Sequence, residues 1–191
     1  MSDASYLKLT PEHSAVLVVD VQERLAGAMP EPRMTDLRRA ARVLLGAARE
    51  LSVLSLYSEQ YPKGLGPTLP DVSAELTATG AVRFEKLEFS AYGAVVEALA
   101  NTKSVVLLGM ETHVCVYLTA RDLCERGFAV HVVADGVASR RDDHREAGLE
   151  LCRRAGACVT TSETVVFDWM GRAAQEPLGV PSGRRLTQTN R

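Results

Sequence analysis

Residues 15–20 read AVLVVD, an almost unbroken apolar run that ends on an aspartate. Such a run, rich in β-branched residues, is typical of a strand buried on both faces. Residues 104–109 (SVVLLG) and 129–134 (AVHVVA) repeat the pattern, and amphipathic stretches with helical spacing separate the runs. This strand–helix alternation, repeated about six times, predicts an α/β fold: a three-layer, doubly wound, six-stranded parallel sheet with helices on both faces.

The remaining elements follow from shorter signals. Three further strands are predicted over residues 53–58, 81–86 and 157–161. Helical patterns cover residues 35–48, 71–79, 91–100, 112–126, 142–155 and 162–170, with Thr35 and Ser90 as N-caps. Residues 59–67, which are rich in Gly and Pro, and residues 135–141 are predicted loops.

Length and composition predict a single domain over residues 1–191. The chain of 191 residues has the size of one domain, with a core over about residues 12–170. The polar tail, residues 171–191, has little to pack by itself, so we expect it to be flexible or packed on a neighbouring subunit.

Charge and cysteine content exclude several classes of protein. A net charge of −2 disfavours nucleic acid or an anionic membrane as the main partner. The four cysteines contain no CxxC pair and are too sparse for a disulfide scaffold. The first residues lack the pattern of a signal peptide, and apolar runs of about six residues are too short for a bilayer. We therefore expect a cytoplasmic protein that acts on a small molecule.

Three reactive side chains lie at predicted strand ends, where ligands of doubly wound sheets bind. Asp20 ends the first strand, Lys86 ends the third, and Cys115 follows the fourth, in the first turn of a predicted helix. Backbone N–H groups and the helix dipole favour a thiolate at such a position, and Asp20 could take the thiol proton. Each also has a plainer interpretation: a buried apolar cysteine, a turn-forming aspartate and a surface lysine.

Histidine spacing gives little support to a metal site. No HxH, HxxxH or DxH pattern occurs, so we predict neither a metal nor a cofactor. His113 precedes Cys115 in the same loop, so it could line a pocket or activate the thiol.

Four segments together resemble the isochorismatase-like cysteine hydrolase family, in the subgroup of isochorismatase domain-containing or YcaC-like proteins. Their order and spacing match over residues 12–170. The segments are residues 15–25 (AVLVVDVQERL), 84–92 (FEKLEFSAY), 105–123 (VVLLGMETHVCVYLTARDL) and 127–140 (GFAVHVVADGVASR).

The resemblance implies a catalytic triad of Asp20, Lys86 and Cys115, and the strand order 3-2-1-4-5-6. It also implies a non-proline cis peptide at Met110–Glu111, which would aim the N–H groups of Glu111 and Cys115 at one oxyanion. The expected reaction is hydrolysis of a C–N bond in a small amide-type substrate through a thioester. Members of the family usually form homo-oligomers, so a dimer, tetramer or larger assembly is expected.

The expected substrate pocket follows from loop positions near the triad. It comprises Gln22, Gln60, Tyr61, Phe89, Thr112 and His113.

Departures from the family pattern leave alternatives open. Residues 58–62 (SEQYP) lack the histidine of the nicotinamidase metal site, which weakens a nicotinamidase-like amidase, and Cys115 argues against a true isochorismatase. A thiol redox protein would need a second cysteine close to Cys115, but Cys124 lies about 13 Å along the predicted helix. A non-catalytic oligomeric interaction protein that keeps the fold is a further alternative.

Overall fold

A six-stranded, all-parallel sheet with the strand order 3-2-1-4-5-6 forms the centre of the computed structural model, which describes residues 7–172. This confirms the predicted fold and strand order. The strands are β1 (Ser14–Val19), β2 (Leu54–Gln60), β3 (Val82–Lys86), β4 (Ser104–Met110), β5 (Ala129–Ala138) and β6 (Cys158–Thr160). The predicted tail beyond Arg172 lies outside the described residues.

Helices connect the strands and cover both faces of the sheet. The α-helices are α1 (Glu23–Ala26), α2 (Glu31–Glu50), α3 (Pro62–Leu65), α4 (Pro70–Ala78), α5 (Tyr92–Val95), α6 (Tyr117–Glu125), α7 (Asp142–Arg154) and α8 (Ser162–Met170). Short 3₁₀ turns occupy Pro11–His13 and Val96–Leu99, and a π-helical turn occupies Thr112–Val116 directly before α6.

The core consists of two apolar layers, one on each face of the sheet. Alternate residues of β1 supply them, because successive side chains of a strand point to opposite faces. Val16 and Val18 pack with α2, α4 and α8, whereas Leu17 and Val19 pack with α5, α6 and α7. All residues of β1 are buried, as expected for a central strand of a covered parallel sheet.

Several predicted boundaries are wrong: the loop predicted over residues 59–67, for example, contains the end of β2 and the short helix α3. Two others have a clear physical reason. Helix α2 begins at Glu31 rather than Thr35: Pro30 is its N-cap, and Pro32 is tolerated in the first turn, where N–H groups lack intrahelical partners. Strand β5 continues to Ala138, beyond the predicted end at residue 134. It does so because it resumes pairing with β4 after a shift of register between Leu107 and Gly109.

Gly109 is required where β4 passes β1. Its φ is 147°, and a Cβ atom added there would lie 2.1 Å from the carbonyl oxygen of Val19. Only glycine permits this approach, which brings the carboxyl ends of the two strands together.

Among residues 7–172, no helix combines the length and apolar character needed to cross a membrane.

Candidate active site

The carboxyl ends of the three strands β3, β2 and β1 meet at one buried charge pair. The Nζ atom of Lys86, the last residue of β3, lies 2.7 Å from Oδ2 of Asp20, the residue after β1. Their side chains are 1% and 0% exposed. A buried pair survives only when further polar contacts compensate the loss of solvent, so the surrounding hydrogen bonds decide its geometry.

Asp20 is fixed from both its backbone and its side chain. Its φ of 52° lies in the left-handed region and turns the chain out of β1. The Asp20 N–H donates to the carbonyl oxygen of Ser58 (3.1 Å), and the Ser58 hydroxyl donates to Oδ1 of Asp20 (2.8 Å). One carboxylate oxygen therefore accepts from serine and the other from lysine. Ser58 was missed by the sequence analysis, although its place late in β2 could have revealed it.

The Lys86 ammonium group has four oxygen acceptors. Besides Asp20, these are Oε1 of Gln60 at 2.7 Å and the carbonyl oxygens of Phe89 at 3.0 Å and Glu88 at 3.1 Å. The cation is thus held in one orientation, pointing at Asp20, rather than exposed to solvent as a surface lysine would be.

Gln22 and Gln60 form a second layer behind the charge pair. Oε1 of Gln22 accepts from the Gln60 N–H (2.8 Å), and Nε2 of Gln22 donates to the carbonyl oxygens of Gln60 (3.1 Å) and Gly66 (2.7 Å). Nε2 of Gln60 donates to Leu87 O at 2.7 Å. These bonds hold Gln60 in place, and Gln60 in turn orients Lys86. Substrate contact by either glutamine stays a prediction.

Cys115 lies in the π-helical turn that follows β4, close enough to the charge pair for Asp20 to raise the pKa of its thiol and for Lys86 to lower it. Thr119 holds this turn: its hydroxyl donates to Cys115 O (2.7 Å) and accepts from the Ala91 N–H (2.8 Å). The structure thus brings Asp20, Lys86 and Cys115 together, from chain positions 20, 86 and 115.

The thiol of Cys115 is protonated at rest, contrary to the expected thiolate. Burial, followed by the negative charge of Asp20, raises its pKa to about 12, while Lys86 acts in the opposite direction. The side chain is 5% exposed, so the loss of solvent outweighs the helix position on which the expectation rested. A base must therefore remove this proton before the sulfur can act as a nucleophile.

The turn before Cys115 is anchored by polar contacts to the end of β5 and beyond. The Thr112 N–H donates to Ser139 Oγ (3.0 Å), and the Thr112 hydroxyl donates to Ala138 O (3.1 Å). Thr112 is buried, and Glu111 before it has a left-handed φ of 56°. These contacts hold the peptide groups between β4 and Cys115 in place.

His113 belongs to a cluster beside this turn rather than to the charge pair. Its Nδ1 lies 3.2 Å from Ser139 Oγ, its Nε2 lies 3.6 Å from Glu111 Oε2, and its ring lies 4.6 Å from that of His144. Burial lowers the pKa of His113, so the imidazole is neutral at neutral pH. Arg140 pairs with the other oxygen of Glu111 at 3.0 Å.

A cleft of about 430 Å³ opens beside the charge pair. Tyr61 and Lys86 line it together with Leu87 and Glu88. Tyr61 is 52% exposed, and Phe89, which is not part of the lining, is 59% exposed. Contact of either ring with a substrate stays a prediction. Within residues 7–172, no group of three or more His, Cys, Asp or Glu side chains could hold a metal ion.

Comparison with known proteins identifies the family. The isochorismatase domain model matches residues 14–164. Isochorismatase domain-containing protein 1 of Danio rerio is 42% identical over 164 residues, which are 83% of this chain and 56% of that protein. The chain therefore spans little more than half the length of this relative.

Solved structures give the same result for the fold. The MAR1 ribonuclease of Caenorhabditis elegans is 38% identical with a TM-score of 0.81, covering 87% of this chain and 86% of that one. YcaC of Escherichia coli, described as an octameric hydrolase of unknown specificity, is 23% identical with a TM-score of 0.77, covering 87% and 84%. With a family match over most of its length and the same fold, the chain belongs to the isochorismatase domain family.

Proposed function

We propose that this protein is a cysteine-dependent hydrolase that cleaves a C–N bond of a small amide-type substrate through a thioester. One observation carries the proposal: a buried carboxylate, Asp20, is paired with the Lys86 ammonium group and lies close enough to Cys115 for its charge to raise the pKa of the thiol. A nucleophile, a base in contact with it and a group that orients the base are the parts that nucleophilic catalysis requires.

The first half of the reaction forms the thioester. Asp20 accepts the thiol proton as Cys115 Sγ attacks the carbonyl carbon, and the carbonyl electron pair moves to oxygen. The N–H groups of Glu111 and Cys115 are the proposed donors to that oxyanion. When the C–N bond breaks, the Asp20 carboxyl group returns the proton to nitrogen, and ammonia or an amine leaves.

The second half releases the product. Asp20, again a carboxylate, takes a proton from water as the water oxygen attacks the thioester carbon. The C–S bond then breaks, the sulfur regains the proton from Asp20, and a carboxylic acid departs. One proton thus passes from sulfur through Asp20 to nitrogen, a second passes from water through Asp20 back to sulfur, and no oxidant or reductant is required.

Lys86 stabilises the charges that this cycle creates. Its four oxygen acceptors keep it 2.7 Å from Asp20. When the negative charge moves from Asp20 to sulfur and then to the oxyanion, a fixed cation nearby stabilises each state without reorganising. The absence of solvent at the pair strengthens this interaction.

A substrate panel tests the proposal. Small amides, carbamates and ureas are assayed for release of ammonia or amine, and reactions with active compounds are quenched in acid and digested for peptide mass analysis. We expect turnover of at least one compound and an acyl mass on the Cys115 peptide alone. If no acyl mass appeared on the Cys115 peptide and Cys115→Ala turned over the compound as fast as the wild type, the thioester route would be contradicted.

Other activities are distinguished by the same panel. A nicotinamidase-like amidase would prefer nicotinamide over the remaining amides. The C. elegans neighbour, at 38% identity, is described as a ribonuclease, so phosphodiester cleavage is a second candidate, tested with single-stranded RNA. A non-catalytic interaction protein would turn over none of these compounds.

A homo-oligomer is proposed as well. Three apolar side chains near the cleft are strongly exposed: Leu87 (72%), Phe89 (59%) and Tyr61 (52%). Apolar groups clustered on a surface commonly mark a protein interface. Light scattering after gel filtration should give a mass well above 20.7 kDa, the mass of one chain.

A further inference from the structure

A second cleft, larger than the one beside Lys86, lies at the opposite end of the sheet, where the strands begin. We call it the amino-edge cleft. Its volume is about 730 Å³, and the residues that begin β4 and β5 contribute to its walls. Strand β4 separates it from the candidate active site, and seven residues at about 3.3 Å each span roughly 20 Å. The two clefts are therefore separate sites.

Positive charge distinguishes this amino-edge cleft. Lys8, His13, Lys103 and Arg126 line it, and no Asp or Glu is among its lining residues. Within residues 7–172, none of these four makes an ion pair with an acidic side chain, although most arginines elsewhere do, such as Arg33 with Asp142. Cations grouped around a concave surface without acidic partners attract an anion.

The walls that carry these cations are held by backbone hydrogen bonds. The Lys103 N–H donates to His13 O at 2.9 Å, and Lys103 O accepts from the Ala129 N–H at 2.9 Å. The Arg126 N–H donates to Leu123 O at 3.1 Å, and the guanidinium lies 5.7 Å from the centre of the Tyr92 ring. The backbone of Lys103 and Arg126 is thus held where β4 begins and where α6 ends.

The remaining lining adds hydroxyl donors and a half-buried ring. Thr10, Thr102 and Ser104 supply hydroxyl groups, and Phe128 supplies an apolar surface. Lysine, arginine and hydroxyl groups are the usual partners of phosphate oxygens, whereas an aromatic ring can pack against a base or another flat group. A volume of this size fits a ligand of nucleotide dimensions.

We propose that the amino-edge cleft binds the phosphate group of a nucleotide-sized phosphate ester. The ester could be a free nucleotide or one unit of an RNA strand, because both present the same phosphate chemistry. The proposal does not depend on the hydrolase activity, since the cleft lies on the other side of the sheet.

Calorimetric titration of the full chain with adenosine monophosphate and with a short single-stranded RNA tests the proposal. The double variant Lys8→Gln/Lys103→Gln removes two cations from exposed side chains, and Arg39→Gln removes one cation from the exposed middle of α2 as a matched control. We expect the wild type to bind and the control to bind with the same affinity. The affinity of the double variant should fall by at least about tenfold.

The salt dependence separates the two sources of phosphate. Tighter binding of RNA, with a log–log salt slope of about 0.7 for each phosphate contacted, indicates a strand, whereas tighter or equal binding of the mononucleotide indicates a free ligand. The proposal is overturned if neither probe binds at millimolar concentration, or if the double variant binds as tightly as the wild type while its thermal unfolding is unchanged.

Discussion

Cys115 and Cys152 are both buried thiols with a strongly raised pKa, but their surroundings differ. Both thiols are buried, and burial is the main reason that each pKa is raised to about 12. Cys115 lies beside a carboxylate that is paired with Lys86, whereas Cys152 projects from α7 into the apolar layer on that face of the sheet. A shifted pKa by itself therefore does not mark a nucleophile. Cys115 is distinguished instead by the carboxylate of Asp20, a base, beside its sulfur.

Replacing each cysteine by alanine gives the largest expected difference between the two regions. Cys115→Ala should lower the turnover of an active amide by about 10⁶-fold, because the reaction has no nucleophile left. Cys152→Ala should leave turnover within about twofold, since its effect is limited to core packing. Ammonia release measured at equal folded concentration checks both, and equal losses in the two variants would remove the distinction.

Lys86→Met tests whether the charge pair, rather than burial alone, sets the Cys115 region apart. The substitution leaves the Asp20 carboxylate buried without its cation, so the free energy of unfolding should fall by about 3–5 kcal/mol. Urea denaturation measures this change. Lys63→Met, at an exposed lysine beside the same cleft, is the matched control and should cost less than about 0.5 kcal/mol.

Gln60→Ala tests the layer behind the charge pair. It removes one of the four acceptors of Lys86 but leaves the contact with Asp20, so kcat should fall about tenfold with little change in KM. A large rise in KM at constant kcat would instead assign Gln60 to substrate binding, as the sequence analysis expected. The pH profile of kcat adds a second readout that loss of stability alone would not shift.

Alkaline pH tests the apolar side of the comparison. The Cys152 thiol has a raised pKa in the folded chain, so its stabilising contribution is complete below the ordinary value of 9.0 and is lost as pH rises toward about 12. Above pH 9.0 the slope of unfolding free energy against pH should be shallower in Cys152→Ala than in the wild type, by about 1.4 kcal/mol per pH unit. Identical slopes would show that Cys152 does not titrate in this way.

The sheet could be predicted because its signals are local. The run that ends at Asp20 and the one that ends at Gly109 are each apolar enough to identify a buried strand by themselves. The strand order, by contrast, came from the family resemblance. Positions at strand ends made Asp20 and Lys86 candidates, and only the family resemblance joined them in a triad; the parallel register brings both to one end of the sheet.

The features that the sequence analysis missed depend on contacts between distant segments. The reciprocal bonds between Gln22 and Gln60 join residues 38 apart, and Thr119 joins the Cys115 turn to the start of α5. The predicted direction of the Cys115 pKa shift was wrong for the same reason. It is set by burial and by Asp20, neither of which the chain around Cys115 reveals.

Burial and the charge of Asp20 together keep the Cys115 thiol protonated at rest, and the proposed mechanism makes Asp20 its base during turnover. The most direct measurement is the rate of iodoacetamide labelling of Cys115 against pH, read by peptide mass, in wild type and Asp20→Asn. Labelling needs only the thiolate, whereas hydrolysis also needs the proton that Asp20 carries.

In Asp20→Asn, labelling of Cys115 at a given pH should become faster and amide hydrolysis slower. In the wild type the labelling pKa should lie well above 9.0, and in Asp20→Asn it should be lower, because the negative charge that raises it is gone while Lys86 remains. Amide hydrolysis by the same variant should fall by about 10³-fold. A wild-type labelling pKa at or below 9.0 would contradict a thiol that is protonated at rest. The same labelling pKa in both proteins would contradict the effect of the Asp20 charge on Cys115.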